Sequence, residues 1–226
     1  MSESKSNKVN VLLLTQFAVL LAIEIIFCFT PLGSLPIGPI VATLAGVPVV
    51  MCAVLLGTKA GALLGLMAGI FSLFIWTFMP PQPPLAFLYS PFYSLGEING
   101  NFWSLVISIF PRVMIGVTAG FFFNLLNKIN LPTKKIRFAS YIISGALGSL
   151  ANTFFTLGLI YFVFAEDFVR VTGGDITHAK TIVLGVIGGL VLSNGVPEAI
   201  ICAVAALFIC QPLRLILKKD AANRTT

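Results

Sequence analysis

Long apolar stretches fill almost all of this chain, and most of its basic residues sit between them in alternate loops. Eleven of the fourteen Lys and Arg residues occupy the N-terminal segment (Lys5, Lys8), Lys59, the 128–137 loop (Lys128, Lys134, Lys135, Arg137) and the C-terminal end (Arg214, Lys218, Lys219, Arg224). The intervening loops, near residues 30–36, 80–100 and 165–180, carry only Arg170 and Lys180, beside Glu97, Glu166, Asp167 and Asp175. Cytoplasmic loops of polytopic membrane proteins carry such an excess of Lys and Arg. The pattern predicts an all-α membrane protein with six transmembrane helices and both termini in the cytoplasm. One basic residue, Arg112, belongs to no loop and lies inside an apolar segment.

Composition excludes several classes. The mean hydropathy is +1.01, and 58% of residues are hydrophobic against 10% charged. Six helices of about 20–25 residues use most of the 226 positions. The chain therefore reads as one integral-membrane domain over residues 1–226, without room for a soluble catalytic domain. The basic excess suits a topology signal and attraction to anionic lipid. It is too scattered for nucleic acid. Cys28, Cys52, Cys202 and Cys210 all fall in apolar segments at spacings unlike those of zinc ligands, and read as small buried hydrophobes. The first apolar segment follows two lysines, as in a signal peptide. It contains Glu24 and no small-x-small cleavage site, so it is expected to be a retained helix.

The expected helices cover about residues 9–29, 37–56, 60–78, 101–126, 136–164 and 179–209. The turn at Gly57-Thr58-Lys59-Ala60 is so short that the second and third helices should form an antiparallel hairpin. Met79-Pro80-Pro81-Gln82-Pro83-Pro84 cannot continue a helix. The Pro- and aromatic-rich segment 80–100, with Phe87, Tyr89, Phe92 and Tyr93, reads as an ordered outer loop. Small residues recur at packing spacing: Ala18 and Ala22; Gly61, Gly65 and Gly69; Gly116 and Gly120. Helices in lipid associate by close backbone approach, and such spacing permits it.

The polar residues at membrane depth carry the functional signal. Arg112 lies about eleven residues into the fourth helix, some 16 Å deep. A charge there costs at least a few kcal/mol unless it faces a cavity or a partner. Two readings stand: an ion pair with Glu198 or Glu24, or an outward-opening pocket in which Arg112 binds an anionic group of a ligand. An acid could also hold the arginine in the empty state. Asn152 is central in the fifth helix. Asn194 and Glu198 are four apart and share a face of the sixth, with Pro197 between them. The asparagines serve either as interhelical hydrogen-bond partners or as ligand contacts. Glu24 is near the outer end of the first helix, where it can reach the interface. His178, the single histidine, lies in an outer loop and reads as a surface residue. There is no P-loop, paired carboxylate set, metal constellation or relay of acids. The chain is expected to bind a ligand without catalysis, cofactor or metal.

The run Pro36 to Val50 (PIGPIVATLAGVPVV) and the run Leu56 to Gly65 (LGTKAGALLG) resemble the corresponding segments of the substrate-binding S-components of energy-coupling factor (ECF) vitamin transporters. Gly100-Asn101-Phe102-Trp103-Ser104, leading to Phe110-Pro111-Arg112-Val113-Met114-Ile115-Gly116, is similar to the pantothenate-specific branch. The resemblance covers nearly the whole chain. It implies a vitamin pocket near the outer face, built from the last three helices and the outer loops. It also implies docking through the first helix onto a transmembrane coupling subunit with two cytoplasmic ATPases, and toppling of the S-component in the bilayer. Ala18 and Ala22 match the family's docking motif. Arg112, Asn152, Asn194, Asn101, Trp103 and Glu198 are the implied substrate contacts, with Arg112 on the pantothenate carboxylate. Riboflavin, folate and cobalamin binders share the broader pattern. A stand-alone secondary transporter is the other class, and the inverted halves and discontinuous helices expected of it are not evident here.

Overall fold

A chain threaded through hydrocarbon must satisfy its backbone polar groups internally, which favours helices and tolerates irregular backbone only where protein or a cavity surrounds it. The computed structural model follows that rule. It describes residues 11–30, 34–37, 40–96, 98–128 and 134–216. Helix α1 is Val11–Phe29, α2 Gly46–Leu56, α3 Thr58–Phe78, α4 Phe102–Lys128 and α5 Lys134–Val163. Short α6 (Ala165–Thr172) precedes α7 (Ala179–Leu190) and α8 (Val196–Ala205). Five helical stretches are long and apolar enough to cross a membrane: Val11–Phe29, Thr58–Phe78, Phe102–Lys128, Phe138–Val163 and Ile176–Ile216. The polytopic all-α class is therefore as expected. The tail residues Lys5, Lys8, Lys218, Lys219 and Arg224, on which the expected cytoplasmic termini rest in part, lie outside the described residues.

The second expected helix, 37–56, is corrected. Only Gly46–Leu56 is helical, about 16 Å at 1.5 Å per residue. Before it, β1 (Ser34–Ile37) pairs antiparallel with β2 (Ile40–Thr43), with Leu35 opposite Ala42 and Pro36 opposite Val41. Pro36 removes a backbone donor and pushes the preceding residue away from helical angles. Ile40, Val41 and Thr43 are β-branched and favour strand. A second small hairpin joins β3 (Ser94–Leu95) to β4 (Ile98–Asn99) in the 80–100 segment.

Short as it is, α2 lies at the centre. Val47 through Val54 are all buried, and α1, α3, α4, α5 and α8 all pack on it. The α2–α3 connection is the single residue Gly57, at φ 103°, a region open to glycine at little cost. The expected hairpin forms, with Gly61 packed on Ala53. Helices α3 and α4 run antiparallel in close contact. A Cβ on Gly65 would collide with the carbonyl of Arg112, and one on Gly116 with the backbone of Gly61. The small-residue spacing in α3 and α4 is thus used for packing within the chain.

The far end is closed by the segment after α3. A 3-10 helix, Pro83–Leu88, buries Ala86, Phe87 and Leu88. Ser104 Oγ of α4 donates to Phe87 O at 2.6 Å, and Ser108 Oγ donates to Tyr89 O. The ordered outer loop expected from the prolines and aromatics is thereby tied to α4. Helix α6, not anticipated, buries Ala165, Phe168 and Val169 against the same end. The last helix, expected to stop at 209, continues to residue 216, past Pro212. It contains two π-helical segments, Val191–Gly195 and Ala206–Cys210, and each is followed two residues later by a proline. A wider turn rearranges the ladder where proline has no N–H to give.

Candidate functional site

The helices enclose a cavity of about 550 Å³, within the 300–1,000 Å³ range of small-molecule sites. Every membrane segment contributes to it, so α1 and α3 join the last three helices in its wall. Its charged lining is Glu24 from α1, Arg112 from α4 and Glu198 from α8. Its amides are Gln82, Asn152 and Asn194, its hydroxyls include Ser72, Thr153 and Thr156, and its aromatics include Trp76 and Tyr89.

Local structure explains how these side chains reach one place. In α4, Pro111 has no N–H for the carbonyl of Ile107, four residues back. The Arg112 guanidinium donates from Nη1 to that carbonyl at 2.9 Å. Its carbon lies 5.6 Å from the centroid of the Tyr89 ring, within cation–π range. Tyr89 is itself stacked on Trp76, with centroids 4.5 Å apart. In the last helix, Asn194 falls within the π-helical turn Val191–Gly195, and Pro197 and Glu198 open α8 directly after it. Such wide turns recur at functional sites.

Of the residues singled out from sequence, Arg112, Asn152, Asn194 and Glu198 all line the cavity. Asn101 and Trp103 do not. Asn101 is exposed and caps α4: its Oδ1 accepts the Trp103 N–H at 2.8 Å, while its own N–H donates to Ser104 Oγ at 3.1 Å. Asn is among the residues favoured at a helix N-cap, where its side-chain oxygen accepts a backbone N–H of the first turn. Trp103 is 47% exposed on the outer surface of α4. Glu24, read as able to reach the interface, is instead fully buried and faces the cavity. Its Oε1 accepts from Cys28 Sγ at 3.2 Å. Ala18 and Ala22 are exposed on α1, on the side away from Glu24 and Leu20, which are buried.

Three buried side-chain atoms have no hydrogen-bond partner among the described residues: Glu24 Oε2, Asn152 Oδ1 and Thr156 Oγ1. All three residues line this cavity. A buried polar atom without a partner is costly, and a ligand that donates hydrogen bonds relieves that cost. The arrangement therefore offers one guanidinium for an anion, two acceptors for donors, and a hydroxyl that serves either way.

His178 is a surface residue, as expected, 3.3 Å from Asp175. The Thr177 backbone N–H, then the Thr177 hydroxyl and His178, hold the Asp175 carboxyl below the usual range. That local stabilisation of the turn before α7 is fully present above the ordinary Asp range and is lost as pH falls on through the lowered Asp175 pKa.

Over residues 13–210 the sequence matches the family described as "ECF transporter, substrate-specific component". The chain belongs to that family. This S-component is a multi-pass protein of the bacterial plasma membrane and the substrate-binding, non-catalytic part of a transporter. Over 210 residues it is 28% identical to the pantothenic acid transporter PanT of Lactococcus lactis subsp. cremoris (strain MG1363), covering 92% of this chain and 95% of that one.

Proposed function

We propose that this S-component binds pantothenate in the central cavity and releases it to the cytoplasm after docking on a transmembrane coupling subunit that carries two ATPases. The observation that carries the substrate is the pairing of Arg112 with partnerless buried polar atoms in one cavity. Pantothenate has one carboxylate, one amide and two hydroxyls. The carboxylate meets Arg112, and the amide and hydroxyl donors meet Asn152 Oδ1 and Glu24 Oε2. Asn194 and Glu198 complete the polar wall. The name of the Lactococcus relative supports the same vitamin. Tyr89, the loop aromatic that a flavin ring would meet first, is stacked on Trp76 and lies under the Arg112 guanidinium.

The docking surface is the exposed face of α1 around Ala18 and Ala22, where small side chains allow another helix to approach closely. Lys59, Lys128 and the basic segments at 134–137 and the C-terminus support placing both termini in the cytoplasm. Titration calorimetry on the purified chain tests the substrate: saturable one-to-one binding of pantothenate and none of riboflavin is expected. Riboflavin binding without pantothenate binding would overturn the reading.

A further inference from the structure

Pro111 stands beside Arg112 in the middle of a helix that is otherwise continuous from Phe102 to Lys128. A proline there removes the hydrogen bond to the carbonyl of residue 107 and costs helix stability. Ile107 is fully buried, so water does not supply the missing donor. Arg112 supplies it, from Nη1 at 2.9 Å. Two further contacts hold the arginine. Its backbone carbonyl abuts Gly65 of α3, where a Cβ would not fit. Its guanidinium lies over Tyr89, and Tyr89 is fastened to α4 through Ser108.

From this geometry we infer that Pro111 is a positioning residue for anion binding. By leaving the Ile107 carbonyl open, it gives the guanidinium one fixed acceptor and so selects one rotamer from the many open to a long side chain. One of the five guanidinium N–H donors is spent on Ile107, and the others remain for a carboxylate. With alanine in place of Pro111, the helix closes its own hydrogen bond to Ile107 and the guanidinium loses its anchor. The ligand must then bear the entropy of fixing that side chain. The inference deepens the pantothenate reading and rests on it for the ligand arm alone.

The experiment compares the wild type, Pro111→Ala, Arg112→Ala and the double variant. Each is titrated with pantothenate and with its neutral alcohol analogue, in which a hydroxymethyl group replaces the carboxylate. Thermal midpoints are also measured without ligand. In Pro111→Ala, pantothenate affinity should fall about tenfold, while the alcohol changes less than about twofold. Without ligand, Arg112→Ala should lower the midpoint more when Pro111 is present than in the Pro111→Ala background, where the helix supplies its own N–H, a non-additive cycle. An unchanged preference for the carboxylate in Pro111→Ala overturns the inference. If the wild type binds no pantothenate, the vitamin reading fails, and the ligand-free cycle decides the positioning role: a non-additive cycle supports it and an additive one overturns it.

Discussion

Replacing Arg112 with alanine tests the site most directly. The residue is ten positions into α4, about 15 Å along its axis, and half-buried in the cavity wall. Two losses follow, and they are read by different measurements. The first is the anion partner. Removing one member of a desolvated charge pair costs about 2–5 kcal/mol, which predicts at least a roughly 30-fold weaker affinity for pantothenate. The second is the donor to Ile107 O. A buried carbonyl left unsatisfied costs about 1–3 kcal/mol, so the ligand-free protein should also melt lower. Lysine in place of Arg112 should restore affinity only in part, because an ammonium lacks the planar fork that meets both carboxylate oxygens. Calorimetry and a thermal scan on detergent-purified protein give both numbers. Unchanged affinity in Arg112→Ala, beside a lowered midpoint, would refute the ligand role and leave the residue a structural donor.

Other predictions come from different parts of the molecule. Asn152→Ala removes an unpartnered acceptor from the cavity, and affinity should fall about 2- to 12-fold, the worth of one neutral hydrogen bond; no change in calorimetry would remove Asn152 from the site. Gly116→Val places a side chain against the Gly61 backbone and should lower the thermal midpoint sharply, whereas Gly185→Ala, with open space around it, should be close to neutral. Ala18→Trp and Ala22→Trp should abolish co-purification with the coupling subunit while leaving pantothenate binding intact; normal assembly would move the docking surface elsewhere. A cysteine in place of Lys134 should resist an impermeant thiol reagent added to intact cells, and labelling from outside would invert the proposed topology.

Sequence reading serves well where chemistry and depth coincide. A charged or amide side chain inside an apolar helix has few places to go, and Arg112, Asn152, Asn194 and Glu198 all line one cavity. Small-residue spacing is equally legible, since Gly61, Gly65 and Gly116 sit where backbones touch. The differences have physical reasons. Asn101 reads as a ligand contact because it stands in the segment similar to the pantothenate branch, yet its side chain satisfies an open N–H group at the start of α4. Distance from a helix end places Glu24 near the interface, and that measure says nothing of which way a helix faces. The hairpin at 34–43 lies in a run apolar enough for a helix, and only its prolines and β-branched residues argue otherwise. Helix α6 carries its own signal, acids in its first turn, Arg170 in its last and an apolar face of Ala165, Phe168 and Val169, but its eight residues are hard to tell from a loop between two long membrane helices.

Two of the prolines inside the membrane helices, Pro111 and Pro197, stand next to charged residues. Pro111 precedes Arg112 and Pro197 precedes Glu198, and both charged side chains open onto the same cavity. In an unbroken helix each interior carbonyl already accepts a backbone N–H, so a side chain on it reaches that oxygen only as a second donor. A proline changes that locally. At 111 it exposes a carbonyl that the neighbouring guanidinium takes up. At 197 it follows a π-helical turn that carries Asn194 and joins α7 to α8. The packing around these breaks absorbs their cost: Gly65 lets α3 close on the Arg112 backbone, and Gly195 abuts Thr153 of α5. At 111 the proline thus pairs a charge at membrane depth with a local means of holding it in one orientation.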